Sequence, residues 1–145
     1  MESPTTEKNK LLDNQYLDEI LNKGNFGIID TFLAPNYVGH ISGFPSMGKE
    51  GEMGIVTMFR TAFPDLVFAM ENQIAEGERV AHMMVARGTH MGTLMGINPT
   101  GSIVEIRGLT MRRCMDGKIV ESWSFIDMLG LIQKLNVVPS SGKKR

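Results

Sequence analysis

A change of hydrophobic period at residues 64–66 constrains the fold of this chain more than any other feature of its sequence. Before Pro64, apolar residues recur every three to four positions, whereas from Leu66 onward the period is two, as in Leu66, Phe68 and Met70. The first period is typical of amphipathic helices and the second of strands. The sequence therefore predicts helices in its first half and a sheet in its second half, the pattern of an α+β domain.

The first half divides into three predicted helices, each bounded by residues that favour helix starts or stops. Ser3-Pro4 supplies an N-cap and a proline at the first helical position, while Gly24, Pro35 and Pro64 each follow the end of a helical pattern. Between the second and third helices, Tyr37-Val38 predicts a brief extended segment. The three predicted helices run from Pro4 to Lys23, from Gly27 to Leu33 and from Glu50 to Phe63.

The second half reads as a meandering antiparallel sheet that leads into a final helix. Asp116-Gly117 predicts a type I′ hairpin turn, because both central residues of that turn need positive φ. The predicted strands begin at Leu66, Arg79, Ile103 and Lys118, and the last helix covers Leu129 to Leu135. Counting outward from the turn predicts three cross-strand pairs: Met115 with Lys118, Trp123 with Thr110, and Glu121 with Arg112, the last an exposed ion pair.

Packing the helices on one face of this sheet predicts the architecture of the domain. Gly88 and Gly108 lie inside strands and predict sharp bends in the sheet. A bent sheet closed at one end by helices forms a cone, and such a cavity is the default position for a ligand. We expect one α+β domain over residues 1–138 and a polar tail over residues 139–145.

Composition excludes several classes of function. Fifteen Lys and Arg against sixteen Asp and Glu give a net charge of -1, without the basic stripe of a nucleic-acid-binding protein. The single cysteine, Cys114, has no internal disulfide partner and reads as a small hydrophobic residue. The sequence has neither a signal-peptide pattern nor an 18-residue apolar run, so we expect a cytoplasmic protein that does not contact membranes.

The three histidines do not predict a metal site. His82 and His90 share a predicted strand face but lie roughly 26 Å apart along an extended strand. Zinc holds its ligands at about 2 Å, so these two residues cannot share an ion. His40 lies in a separate loop, and no HxxxH or CxxC spacing is present.

Six segments together resemble the SnoaL-like polyketide cyclase or ester cyclase family, which belongs to the nuclear-transport-factor-2-like superfamily together with ketosteroid isomerase. The segments follow one another in order from residue 59 to residue 135. They are FRTAFPDL at 59–66, IAEGERVA at 74–81, ARGTHMG at 86–92, GINPTG at 96–101, VEIRGLTMRR at 104–113 and DGKIVESWSFIDMLGLIQKL at 116–135.

This resemblance implies a cone-shaped domain that forms homodimers or higher homo-oligomers and binds a hydrophobic carbonyl compound without cofactor or metal. It also implies a reaction in which an Asp removes a proton α to a carbonyl, followed by aldol cyclisation or isomerisation. The W-x-x-x-D pattern places that Asp at Asp127. A carrier protein that uses the same pocket without turnover is the alternative.

Asp127 has two competing interpretations. It directly precedes a helical apolar pattern, and Asp is a favoured N-cap because its side chain accepts hydrogen bonds from free backbone amides. The resemblance instead makes it the catalytic base, with apolar neighbours on both sides. The sequence leaves both roles open.

Five further residues are candidates for the pocket. His90 is the candidate hydrogen-bond donor to an enolate, and a buried core histidine is the alternative. His40 is a candidate for the pocket mouth or for a plain loop. Phe59, on the apolar face of the third helix, and Trp123 and Phe125, on the strand that leads to the predicted base, are candidates for substrate binding or for ordinary core packing.

Overall fold

The computed structural model describes residues 3–135. The helices are α1 (Pro4–Tyr16), which continues as a π-helix (Leu17–Asn22), a 3₁₀ turn (Phe26–Ile28), α2 (Ile29–Phe32), α3 (Lys49–Ala62) and α4 (Met128–Lys134). The strands are β1 (Leu33–Ile41), β2 (Val67–Glu76), β3 (Arg79–Thr89), β4 (Ile103–Met115) and β5 (Lys118–Ile126). The predicted α+β class is confirmed: α1 to α3 lie in the first half, and four of the five strands and α4 lie in the second.

The ends of α1 follow the predicted chemistry. Ser3 adopts an extended conformation, and its side chain accepts a hydrogen bond from the backbone N–H of Thr6, while Pro4 occupies the first helical turn. At the far end the helix widens into a π-helix, and Gly24 then takes a left-handed conformation with φ of 65°. The predicted first helix is therefore confirmed.

The five strands form one sheet in the order β1-β5-β4-β3-β2. Neighbouring strands are antiparallel except β1, which pairs in parallel with β5. The sequence predicted only a brief extended segment at Tyr37-Val38, yet β1 is a nine-residue edge strand. Pro35 fits there because an edge strand tolerates a residue that cannot donate a backbone hydrogen bond. The sheet is thus mixed.

The β4–β5 hairpin turns at Asp116 and Gly117, with φ of 53° and 78°, and the predicted pair of Met115 with Lys118 is present. Beyond it a β-bulge shifts the register, because Val120 has no partner between the pairs Cys114–Ile119 and Arg113–Glu121. The two other predicted pairs are therefore wrong by one residue. In the structure Trp123 pairs with Met111, Glu121 pairs with Arg113, and Arg112 pairs with Ser122.

The bulge changes the buried positions of β5 from odd-numbered Ile119 to even-numbered Ser122, whereas β4 alternates without interruption. Even-numbered residues of β4 from Val104 to Cys114 lie on the inner face, under the helices, and odd-numbered ones such as Leu109 lie on the outer face. Two apolar clusters fill the inner side, one around α1 and β1 and one around α3 and α4. Cys114 lies in the first cluster, where burial raises the pKa of its thiol to about 11. This agrees with its reading as a small hydrophobic residue.

Within residues 3–135, no helix has the length and apolar character needed to span a membrane. The tail predicted for residues 139–145 lies outside the described residues, so the boundary at residue 138 stays a prediction.

Candidate functional site

A cavity lies between α3 and the inner face of the sheet. Its empty space, including the open mouth, is about 680 Å³. The walls are mostly apolar, with Val56 and Phe59 on the helix side and Met84, Ala86 and Ile106 on the sheet side. Gly108 also lines it, and a Cβ there would lie 2.8 Å from the carbonyl oxygen of Phe125. The cavity is thus suited to a hydrophobic small molecule.

Among the described residues that line the cavity, four carry polar side chains: Glu52, Thr110, Arg112 and Ser124. Glu52 comes from the first turns of α3, on the same helical face as Val56 and Phe59 at spacings of four and seven residues. A carboxylate on an apolar face requires partners, because an uncompensated charge is costly to bury.

Two tyrosines supply those partners. The hydroxyls of Tyr16, on α1, and Tyr37, on β1, each donate to one oxygen of the Glu52 carboxylate at 3.1 Å. Burial, reinforced by the negative charge of Glu52, raises the pKa of both tyrosine hydroxyls above its usual range. Both hydroxyls therefore stay protonated and hold the carboxylate in a fixed orientation.

Arg112 lies beside this group and is almost completely buried. Its Nε donates to Asp13 at 2.8 Å, its Nη1 donates to Ser122 at 3.0 Å, and its guanidinium carbon lies 4.6 Å from the centre of the Tyr16 ring. Burial by itself would lower the pKa of the guanidinium, but the charge of Asp13 raises it above the usual value. Arg112 is therefore a permanent buried cation, and the predicted exposed ion pair with Glu121 is wrong because of the bulge.

Asp13 connects Arg112 to His82. Its second carboxylate oxygen lies 2.8 Å from His82 Nδ1 and also accepts a hydrogen bond from Gln73 at 3.0 Å. Burial of the carboxyl would raise the pKa of Asp13, but the hydrogen bond to His82 and the charge of Arg112 outweigh it and lower the pKa. Asp13 is therefore an anion in the core. His82 Nε2 is buried and has no hydrogen-bond partner among the described residues.

The remaining polar lining residues face each other across the hairpin. Thr110 and Ser124 are cross-strand partners on β4 and β5, and their hydroxyl oxygens lie 3.1 Å apart. Cross-strand hydroxyl pairs of this kind stabilise a sheet modestly. Here the pair also faces the cavity, so it is available to a ligand.

Sequence reasoning missed this polar cluster, although one observation could have indicated it. Asp13 lies on the same face of α1 as Tyr16 and Ile20, and Glu52 lies on the apolar face of α3. An acid at a core-facing helical position predicts a buried partner, since Asp and Glu are rarely buried unpaired. The uninterrupted alternation of β4 also places Arg112 on the same face as Ile106 and Cys114, which indicates a buried position.

The sequence matches the model of one known protein family over most of its length. The family model of SnoaL-like polyketide cyclases matches residues 12–135. The chain belongs to this family. No curated protein matches the sequence significantly.

Solved structures of other proteins support the fold of this SnoaL-like family member. A SnoaL-like polyketide cyclase from Jannaschia sp. CCS1 superposes with a TM-score of 0.87 at 22% identity, covering 96% of this chain and 99% of that one, which shows a shared fold. AclR from Streptomyces galilaeus, described as a hydroxylase, gives 0.82 at 28% identity over 93% and 85% of the two chains. IdmH from Streptomyces antibioticus, described as a polyketide cyclase, gives 0.76 at 29% over 93% and 100%.

In this SnoaL-like protein, Asp127 caps α4. Its Oδ1 accepts a hydrogen bond from the backbone N–H of Gly130 at 2.9 Å, which confirms the capping interpretation. The side chain is exposed and is not among the residues that line the cavity. Its catalytic role stays a prediction that this position does not favour.

His90 also lies away from the cavity lining. It is completely buried against Phe63, with ring centres 5.5 Å apart, and its Nδ1 accepts a hydrogen bond from the backbone N–H of Thr100. Its Nε2 is buried without a partner among the described residues. This environment corresponds to the core-histidine alternative, since the ring holds the loop before β4.

The four proposed substrate-binding residues separate into two pairs. Phe59 is buried in the cavity wall. Phe125 also borders the cavity, although it pairs with Leu109 on the outer face of the sheet and 61% of it is exposed. His40 and Trp123 stack on each other at 5.6 Å, and His40 Nε2 lies 2.7 Å from Glu121 on the outer face. Neither His40 nor Trp123 lines the cavity.

No group of three or more His, Cys, Asp or Glu side chains within residues 3–135 is arranged to hold a metal ion. In the cluster around Arg112, Asp13 instead lies between a guanidinium and a histidine.

Proposed function

We propose that this protein is a cofactor-independent enzyme that removes a proton α to a carbonyl group of a hydrophobic small molecule, with Glu52 as the general base. One observation carries the proposal: a carboxylate held by two tyrosines lies in the wall of a mostly apolar cavity. Membership of the SnoaL-like polyketide cyclase family supports a carbonyl substrate.

The proposed reaction moves one proton and one electron pair. A Glu52 oxygen takes the proton from the α-carbon, and the electrons of the broken C–H bond move onto the carbonyl oxygen to give an enolate. The enolate carbon then either attacks a second carbonyl of the same molecule, which closes a ring, or is protonated again at another carbon. Glu52 returns its proton at the end, so no external reagent is consumed.

The surroundings of Glu52 suit a base in two respects. The tyrosine hydroxyls fix the carboxylate in position, which reduces the reorganisation needed for proton transfer. The apolar walls exclude water, so the ionised carboxylate is not shielded by solvent from a bound substrate. Asp127, exposed and bonded to the start of α4, has neither advantage.

The alternative is a carrier that binds the same class of molecule without turnover. Each polar residue of the cavity lining has an internal partner, with Glu52 bonded to tyrosines, Arg112 to Asp13, and Thr110 to Ser124. A pocket that binds without catalysis would also have hydrogen-bond partners for its polar groups, because unpaired buried polar groups destabilise the fold.

Exchange of α-protons separates the two functions. The probe is 1-(naphthalen-2-yl)ethanone in deuterated water, and NMR follows the loss of its methyl proton signal. We expect the wild-type protein to accelerate exchange and Glu52→Gln to reduce the acceleration by at least about 100-fold, the usual lower contribution of a general base. Glu50→Gln, an exposed change on the same helix, should leave the rate unchanged.

Two results would contradict this assignment. Exchange that is lost in Asp127→Asn but retained in Glu52→Gln would return the catalytic role to Asp127. Saturable binding of the ketone by the wild-type protein without any exchange would support the carrier.

A further inference from the structure

We propose that the hydroxyl pair of Thr110 and Ser124 is the site that binds the carbonyl oxygen of the ligand. The inference rests on the proposed function in that it names the oxygen-binding partner of the same substrate class. It assigns to the ligand a hydrogen-bond acceptor, a ketone or aldehyde oxygen, directed at β4 and β5 rather than at α3.

The position of the pair supports this assignment. Thr110 and Ser124 lie opposite each other in adjacent strands, and both line the cavity that Glu52 also lines. Thr110 is buried and Ser124 partly buried, so both hydroxyls lie within the cavity wall and away from bulk water. Because they project from paired strands, their separation of 3.1 Å is fixed by the sheet.

The number of hydroxyl hydrogens determines whether the pair can donate a hydrogen bond to a ligand. Each hydroxyl carries one hydrogen, and the bond between Thr110 and Ser124 uses one of the two. Among the described residues, the structure records no other hydrogen bond for the side-chain hydroxyl of Thr110 or of Ser124. Whichever residue donates to its partner, the other keeps an O–H group that is free to donate to a ligand.

The other two polar lining residues are less suited to a carbonyl oxygen. Glu52 presents a carboxylate, which repels the partial negative charge of such an oxygen. Arg112 is 3% exposed, and its Nε and Nη1 are directed at Asp13 and Ser122. The hydroxyl pair is therefore the uncharged donor among the polar side chains of the cavity lining.

The same bond would act on the reaction. As the α-proton leaves, negative charge grows on the carbonyl oxygen, and a donor already in place stabilises the enolate more than the ketone. The second hydroxyl strengthens the donor, because chained hydrogen bonds polarise one another in a medium of low dielectric constant. Thr110 and Ser124 thus act on the oxygen while Glu52 acts on the carbon.

The infrared carbonyl band of bound 1-(naphthalen-2-yl)ethanone, labelled with ¹³C at the carbonyl carbon, tests the proposal directly. A hydrogen bond to the oxygen lowers the frequency of this band, so we expect a lower frequency in the wild-type complex than in an alkane solvent. The double variant Thr110→Val with Ser124→Ala removes both hydroxyls without leaving either one unpaired. We expect its band to return to the alkane value.

Thr57→Val, which removes an exposed hydroxyl from α3 outside the cavity, is the matched control and should leave the band unchanged. Circular dichroism confirms that each variant is folded. If only the double variant fails to fold, Ser124→Ala alone is measured, and the band should then shift toward the alkane value.

Three results would overturn the proposal: no saturable ketone binding by the wild-type protein, a wild-type band at the alkane frequency, or a lowered band that survives removal of the hydroxyls. The last result would assign the bond to Arg112 or to a backbone amide. Glu52→Gln separates this test from that of the base, because it should abolish exchange while keeping the lowered band.

Discussion

Asp13 shows how one buried residue can connect distant parts of the chain. Its two carboxylate oxygens bond to Arg112 and to His82, both at 2.8 Å, and the side chain is fully buried. A buried ion pair contributes little net stability compared with an apolar substitute, but removing one member leaves the other charged and unpaired in the core. Asp13 therefore holds Arg112 in position. The protein loses substantial stability only when one member of the pair is removed.

Asp13→Asn should destabilise the protein by about 3 to 5 kcal/mol at neutral pH, because it leaves the Arg112 charge uncompensated. Chemical denaturation followed by circular dichroism measures the change in the free energy of unfolding. Asp18→Asn, an exposed position on the π-helix, is the control and should change stability by less than about 0.5 kcal/mol. Equal losses in the two variants would contradict the assigned role of Asp13.

The lowered pKa of Asp13 also predicts a pH dependence. In the folded protein the pKa lies below its ordinary value of 3.8, so the unfolded chain binds the proton more readily. The stabilisation is therefore complete above pH 3.8 and is lost as the pH falls through the folded-state pKa. The difference in stability between wild type and Asp13→Asn should shrink as the pH falls below 3.8, and a difference that stays constant below pH 3.8 would exclude this linkage.

The N-cap at Ser3 was predicted from local chemistry, whereas for Asp127 capping was one of two roles that the sequence left open. Ser3 and Asp127 have side-chain oxygens and stand directly before helical patterns, and both are N-caps in the structure. The predicted exposed pair of Arg112 with Glu121 was wrong, because a one-residue bulge on β5, which no local pattern indicates, gives Arg112 the partner Ser122. The acids Asp13 and Glu52 were missed because their partners lie far along the chain.

At the scale of elements, β1 carries two contributions to the site within three residues. Tyr37 donates to Glu52, and Gly39 lets the Glu52 carboxylate approach the strand. A Cβ at position 39 would lie 2.8 Å from the Tyr37 hydroxyl oxygen and 2.9 Å from Glu52 Oε1. Both side chains are buried, so neither has free space in which to move away. The glycine is thus required by the contact between β1 and α3.

Gly39→Ala should therefore destabilise the protein by about 1 to 3 kcal/mol, the usual range for overpacking a core. Gly54→Ala is the matched control, because a Cβ there meets nothing within 4 Å and the position is exposed on α3. Alanine is a better helix former than glycine, so the control should gain about 0.5 to 1 kcal/mol. Thermal unfolding of both variants gives the comparison, and a neutral Gly39→Ala would show that the contact is loose.

Elements defined by short-range patterns were predicted with correct type and nearly correct bounds. The helices α1 and α3, the hairpin turn and the strands β2 to β5 all follow from periodicity, prolines or the Asp-Gly turn. The length and direction of β1 were not predicted. Its partner, β5, lies about 80 residues further along the chain, and no turn connects the two strands.

At the scale of the whole molecule, the outer face of the sheet has a row of exposed apolar residues. Met83, Leu109 and Phe125 are cross-strand neighbours on β3, β4 and β5, with 43%, 49% and 61% of each residue exposed. Glu105 and Arg107 on the same strand β4 contribute charges of both signs. A face that is apolar at its centre and carries both charges can pair with its own copy across a twofold axis.

We therefore expect a homodimer that buries this row, as the family resemblance also implies. Leu109→Asp should convert the dimer to a monomer, because it places a charge at the centre of the interface. Analytical ultracentrifugation at micromolar concentrations measures the mass, with Leu11→Asp as the control at an exposed leucine on α1. A wild-type monomer, or an unchanged mass in Leu109→Asp, would contradict the expected interface.

The site as a whole was beyond prediction from the sequence because it depends on long-range contacts. Asp13 and Arg112 are 99 positions apart, and Tyr16 and Glu52 are 36 apart. The resemblance predicted a cavity in a cone, and the structure has a cavity at that position. The predicted acid, Asp127, lies at the end of the strand, whereas the acid in the described cavity lining, Glu52, comes from α3.

The parallel pairing of β1 with β5 imposes an order on the formation of the protein during synthesis. Residues 33–41 leave the ribosome long before residues 118–126, so β1 has no partner strand until almost the entire domain has been made. The hydrogen bonds between β1 and β5 must wait for the hairpin that ends the sheet. Because β1 and β5 are far apart in the chain, their pairing should make folding slow. The cavity would be completed only in the last step of folding.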